Sequence, residues 1–108
     1  MTLDNNTGTV ISLEEAKGYT HAFQEDKPDA IKSFYVGAKK LQRILEQEDC
    51  MGVRIYNGRT TDTDYRNKAN LVLVGVNKKG EDMTDGIILE DLAPCPHFCP
   101  QSSPLIKL

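Results

Sequence analysis

Apolar residues recur along the chain with two different periods, and the change from one to the other divides it. From Ile11 the spacing is helical: Leu13, Ala16, Thr20 and Phe23 share a face, with Tyr19 at its border. Ser12 is placed to cap the Glu15 amide while the Glu15 carboxylate reaches back to the Ser12 amide, and Ile11 to staple onto Ala16. Gly18 inside this helix costs about 1 kcal/mol relative to Ala. Pro28 disfavours helical geometry at Lys27 and ends it. A second helix is predicted from about Pro28 to Glu48, because Ile31, Phe34, Tyr35, Ala38, Leu41, Ile44 and Leu45 form one stripe. Lys32, Lys39, Lys40, Gln42, Arg43 and Glu46 lie mostly off it, and Gly52 is placed to turn the chain after it.

Beyond Gly52 the period is two. Val53 and Ile55 fall on one face of a short strand, Arg54 and Tyr56 on the other. A polar connection from Asn57 to Lys68 leads to Leu71–Val76, apolar on both faces and therefore expected as a central, well-covered strand. Asn77-Lys78-Lys79-Gly80 has the composition of a hairpin turn, with Gly available for positive φ. Glu81–Thr84 starts a return strand, Asp85-Gly86 makes a bulge or second turn, and Ile87–Leu89 follows. The last stretch, residues 93–108, holds four of the five prolines and forms neither a regular helix nor a central strand. The order predicts an α+β fold: two N-terminal helices packed on one face of a small, about three-stranded antiparallel sheet, with an extended Pro/Cys-rich tail. Residues 1–10 are expected as a flexible lead-in, and 11–108 as a single domain that includes the tail.

The length of 108 residues fits that expectation, since one domain takes about 100–150 residues. The net charge of −3 argues against a clustered cationic surface for nucleic acid. No apolar run approaches the roughly 20 residues of a membrane-spanning helix, and the polar N-terminus lacks a basic and apolar leader. Three cysteines, an odd and modest number, fit a cytoplasmic protein with mainly reduced thiols.

Candidate chemistry concentrates in two places. Cys95-Pro96-His97-Phe98-Cys99 invites comparison with thiol–disulfide motifs, but three residues separate its cysteines and Pro100 prevents the helix that would lower a thiol pKa. Cys50, Cys95 and Cys99, with His97 or His21, could supply soft ligands for a structural zinc ion, although strong zinc patterns have two separated ligand pairs. The preferred reading makes Cys95 and Cys99 small hydrophobes that, with Phe98, pin the tail, a local disulfide being a variant of it. The second place is the Arg54/Tyr56 strand face with Arg59 just beyond, which could bind an anion or a partner, or simply cover other side chains. Asp62-Thr63-Asp64 begins like a calcium loop but lacks its sixth-position Gly and closing Glu. Asp82 and Asp85 are assigned to turns. No phosphate loop, nucleophile elbow or two-His metal motif is present, so no catalytic residue is assigned.

Taken together, Gly52–Gly58, Leu71–Val76, Gly80–Thr84 and Pro94-Cys95-Pro96-His97-Phe98-Cys99-Pro100 form a pattern that resembles a family of short Bacteroidota-type bacterial proteins without an assigned activity. The resemblance runs from Ile11 onward; it implies a bacterial cytoplasmic setting and a tail integral to the domain, and it carries no catalytic residue. The expectation is a small non-enzymatic interaction or assembly module that self-associates, because a three-stranded sheet has two edges to cover or pair. Its partner is then a protein or a second copy, with no nucleic acid, membrane or cofactor. The alternatives are a structural zinc domain through Cys50, Cys95 and Cys99, or a small ligand-binding or enzymatic domain on the Arg54/Tyr56 face.

Overall fold

The computed structural model describes residues 2–60 and 69–107; Asp62-Thr63-Asp64 lies outside them. In chain order the elements are α1 (Leu13–Asp26), β1 (Ser33–Tyr35), α2 (Ala38–Leu45), β2 (Cys50–Arg59), β3 (Ala69–Asn77), β4 (Ile88–Leu89) and β5 (Ala93–Cys95). The class is α+β with antiparallel pairing throughout. The strands form two sheets, a three-stranded one in the order β2-β3-β4 and a two-stranded ribbon of β1 with β5. The chain divides into two compact units, Met1–Thr7 with Val36–Leu92, and Gly8–Tyr35 with Ala93–Leu108.

In the first unit β3 is the centre, as its two-sided apolar character implies: Leu73, Val74 and Val76 are buried. β2 pairs along its whole length with β3, Val53 opposite Gly75, Arg54 opposite Val74 and Tyr56 opposite Val72. The Asn77–Gly80 turn closes with Gly80 at φ +84°, and the Asn77 side-chain carbonyl accepts from the Lys79 and Glu81 amides at 2.9 and 3.1 Å. α2 lays the fully buried Ile44 over Gly75, where an added Cβ would meet Ile44 Cγ2 and Cys50 Sγ at 3.3 Å and Gln47 Nε2 at 2.8 Å. The Gln47 carboxamide donates to the Ile44 carbonyl at 3.0 Å and accepts from the Ile87 amide at 2.8 Å.

The second unit holds α1, the β1–β5 ribbon and the tail. Ser12 caps α1 by accepting from the Glu15 amide at 3.1 Å, and its hydroxyl, not its amide, donates to the Glu15 carboxylate at 3.3 Å. In the ribbon Pro94 lies opposite Phe34, and the Lys32 amide donates to the Cys95 carbonyl at 2.8 Å.

Other expectations need correction too, among them the connection expected from Asn57, since β2 runs on through Asn57 and Gly58 to Arg59. The helix expected over 28–48 is β1 followed by the shorter α2. Phe34 and Tyr35 are aromatic and suit a strand once β5 supplies a partner. Gly37, with φ −68° and ψ 142°, then opens α2 at its N-cap. Gly52 does not turn the chain; it sits at a bulge in β2, while Asp49, at φ +71°, makes the reversal. On α1, Leu13 and Phe23 are exposed, and the covered line runs through Thr20, His21 and Gln24. Part of the tail is β5, so the sheet expected alone is accompanied by a ribbon, and α1 belongs to the ribbon's unit, not the sheet's.

The packing around Gln47 is directly testable. A Cβ on Gly86 would lie 2.2 Å from Gln47 Oε1 and 3.3 Å from the Met83 carbonyl. Gly86→Ala should therefore cost about 1–3 kcal/mol in chemical denaturation, as overpacking does. The cost should fall when Gln47 is also Ala, because the obstructing amide is gone. Equal costs in both backgrounds would mean that the new methyl does not meet Gln47.

Candidate functional site

Period-two pleating brings Arg54 and Tyr56 to one face of β2, and the hairpin after β3 returns a third residue to that face. Val76 lies opposite Gly52 on one side and bridges Asp82 on the other. Asp82 is thus carried across β3 to the two β2 side chains. Arg54 Nη1 donates to Asp82 Oδ1, and the Tyr56 hydroxyl donates to Asp82 Oδ2. Arg54 Nη2 donates to the Gly80 carbonyl at 3.3 Å.

The electrostatics follow from this fork. The Tyr56 hydroxyl, and after it the Arg54 guanidinium, hold the Asp82 carboxyl below its ordinary pKa, against an opposing desolvation effect. The hydrogen bond to Asp82 raises the pKa of Tyr56 and of Arg54, since each donates a proton it would lose on titration. Chemically the arrangement is a clamp that ties β2 to the turn after β3. Both carboxylate oxygens and both guanidinium nitrogens of the fork are engaged within the chain.

Arg59 stands at the exposed end of β2 opposite Ala69, an odd number of steps from Arg54, so it falls on the other face. Beside β2, residues Leu3, Asp4, Thr7, Met51, Arg54 and Ile55 border a cleft of about 380 Å³. Residues 4–7 are folded as a turn, with the Asn6 amide donating to Asp4 Oδ1 at 2.8 Å. Asp82, assigned above to a turn, is the member of the cluster that residue-type reasoning missed. Counting antiparallel register back from Gly80 would have placed it across β3 from Gly52.

The cysteines are arranged otherwise than as reduced thiols. Cys95 and Cys99 form a disulfide with Cα atoms 4.7 Å apart. Cys95 is fully buried, whereas Cys99, His97 and Phe98 are exposed, so Phe98 does not pin the tail. Cys50 is free and belongs to the other unit, its thiol donating to the Gly52 carbonyl at 3.2 Å. Disulfide sulfurs are not thiolate ligands, and among the described residues no three His, Cys, Asp or Glu are grouped to hold an ion. The zinc reading through Cys50, Cys95, Cys99 and His97 is not carried by this arrangement. Among the described residues no helix is long and apolar enough to cross a membrane.

No family model, no curated protein and no solved structure matches the chain. The functional reading therefore rests on the geometry of the molecule.

Two measurements check this geometry. Thiol titration of the denatured, unreduced protein should find one reactive thiol per chain, and three after reduction; three before reduction would remove the Cys95–Cys99 bond. Asp82→Asn should lower stability near neutral pH, with the deficit shrinking in acid. A carboxyl whose folded pKa is depressed contributes stability above its unfolded pKa and loses it as pH falls through the folded value. Tyr56, with its pKa raised, contributes below about pH 10 and loses that contribution as pH rises through its folded value. Parallel stability–pH curves for the wild type and Asp82→Asn would contradict the clamp.

Proposed function

We propose that the protein is a small, non-enzymatic interaction module that self-associates by pairing the outer edge of β2 with the same edge of a second copy. The observation that carries this reading is the length and exposure of that edge. β2 runs for ten residues, and among the described residues its only strand neighbour is β3. The opposite edge, β4, is two residues long. A long unpaired edge presents a row of amides and carbonyls suited to another strand.

The surface at this edge supports the same reading. Ile55 is 59% exposed, and residues 55–59 are all exposed. The first half of β2 is interrupted by the bulge at Cys50/Gly52 and flanked by the Leu3–Thr7 segment across the cleft. The available stretch is therefore 55–59. Antiparallel pairing about Asn57 would set Ile55 opposite Arg59 of the second copy and place no like charges face to face. A strand pairing with itself makes a closed, two-fold interface. The polar cluster of this unit supports a structural role, because Arg54, Tyr56 and Asp82 satisfy one another.

Light scattering on a size-exclusion column tests the proposal. The wild type should shift from monomer to dimer with concentration. Ile55→Lys should raise the dissociation constant at least about tenfold, which corresponds to about 1.4 kcal/mol, while leaving the circular dichroism unchanged. A wild type that stays monomeric at high concentration would remove self-association.

A further inference from the structure

The end of the chain is held to α1 by contacts made mostly to its main chain. The Leu105 carbonyl accepts from Thr20 Oγ1 at 2.8 Å and from Gln24 Nε2 at 3.1 Å. The Lys107 amide donates to Gln24 Oε1 at 2.7 Å. The Pro104 carbonyl lies 3.0 Å from His21 Nε2; a carbonyl only accepts, so this nitrogen carries the proton. Lys107 Nζ is 2.8 Å from Glu25 Oε1. This arm begins at Ser103, whose carbonyl and hydroxyl accept from the Ile106 and Leu105 amides, both at 3.2 Å. The loop before it is fixed to the ribbon. Cys95 belongs to β5, and its carbonyl accepts from the Lys32 amide at 2.8 Å. The Cys95–Cys99 bond then closes the loop, and the Phe98 amide donates to the Pro94 carbonyl at 2.8 Å. Only residues 100–102 separate this fixed loop from the docked arm. α1, ribbon, loop and arm all belong to one unit.

From this arrangement we infer that Cys99 is a site of thiol–disulfide exchange, opened by a dithiol donor, and that its bond sets how firmly the arm is held on α1. The two sulfurs differ in access. Cys95 is fully buried, whereas Cys99 is exposed, as are His97 and Phe98 beside it. A thiolate attacks a disulfide at the sulfur it can reach, and exposed disulfides are the labile ones. The donor's thiolate therefore bonds to Cys99 Sγ as the Cys95–Cys99 bond breaks. The electron pair leaves on Cys95 Sγ, which takes up a proton, since burial favours the neutral thiol. The donor's second thiolate then attacks the donor sulfur of the mixed disulfide, and Cys99 leaves and is protonated. The protein has gained two electrons and two protons, and the donor has become a disulfide. With the bond open, a single hydrogen bond is left to hold the loop, and the anchor retreats to Cys95. The tether to Ser103 grows from three residues, 100–102, to seven, 96–102. The local concentration of a tethered group falls as about the −3/2 power of tether length, so docking weakens about three- to fourfold.

The inference does not rest on the β2 edge, and its test uses the whole folded chain. Brief treatment of the oxidised protein with reduced glutathione, an acid quench and mass spectrometry locate the mixed disulfide. It should sit on Cys99; adducts on Cys95, or a bond that opens only in denaturant, overturn the inference. Amide exchange by nuclear magnetic resonance, before and after reduction with dithiothreitol, then follows the arm. The Lys107 amide, which Gln24 protects, should exchange at least about threefold faster in the reduced protein and recover on reoxidation. The Lys32 amide, tied to the Cys95 carbonyl, should keep its rate. Cys99→Ser should match the reduced wild type with no reductant present. Unchanged exchange at Lys107 overturns the inference. Faster exchange at Lys32 as well overturns it too, since the bond would then brace the ribbon and not the arm.

Discussion

At the end of α2 the Gln47 carboxamide is held between two glycines and two pieces of main chain, and its placement determines much of the unit around it. It donates to the Ile44 carbonyl, which also accepts from the Gln47 amide at 3.3 Å, and accepts from the Ile87 amide on the approach to β4. Each such bond contributes about 0.5–1.5 kcal/mol net, and stranding a buried partner costs about 1–3 kcal/mol. Gly75 and Gly86 leave the space the amide fills. With Gln47 seated, Ile44 is held over the centre of β3. The Cys50 amide then bonds the Gln47 carbonyl at 3.1 Å, so the start of β2 is set at the same point. The register of Arg54 and Tyr56 follows from that start.

The other unit uses the same device. Gln24 also places a carboxamide against main chain, across more than 80 residues of sequence, where Gln47 spans 40 to reach Ile87. A carboxamide carries both a donor and an acceptor, so it can pair with main chain from a helix surface. Neither unit buries many large side chains: Ile44 and Cys95 are the largest fully buried ones among the described residues. Directional bonds from glutamine to main chain give specificity that a small apolar core supplies less well, since an unmet partner is penalised more than a loose apolar contact.

These two residues also explain what was legible beforehand. Period, turn chemistry and capping are local, and they located the Ser12 cap, the Asn77–Gly80 turn and the central strand. The stripe from Ile31 to Leu45 misled because three or four apolar residues at helical spacing also fit a short strand followed by a helix. The choice was made by β5, some 60 residues away, whose Pro94 gave no sign of pairing. Glutamines on helix faces read as solvated positions, so neither Gln24 nor Gln47 stood out. Of the candidate site, Arg54 and Tyr56 were visible from alternation alone. Asp82 was hidden because its neighbours Gly80 and Gly86 gave it a sufficient local role as a turn residue. Register, a property of paired strands, was needed to bring it to the cluster.

The clamp bears on the β2 edge as well. Soluble proteins commonly guard exposed strands with a charged side chain whose desolvation opposes pairing. Arg54 would be such a guard, but Asp82 neutralises it and Gly80 takes its second nitrogen. The Tyr56 hydroxyl is likewise turned to the carboxylate, leaving its ring to cover the sheet face. What remains along residues 55–59 is an isoleucine, a tyrosine ring, an uncharged Asn57-Gly58 pair and one terminal arginine. A protein that spends its charges on its own turn leaves this edge less defended than its composition suggests. On the proposed pairing of the β2 edge, the fork leaves residues 55–59 without a free guarding charge, because Arg54, Tyr56 and Asp82 satisfy one another.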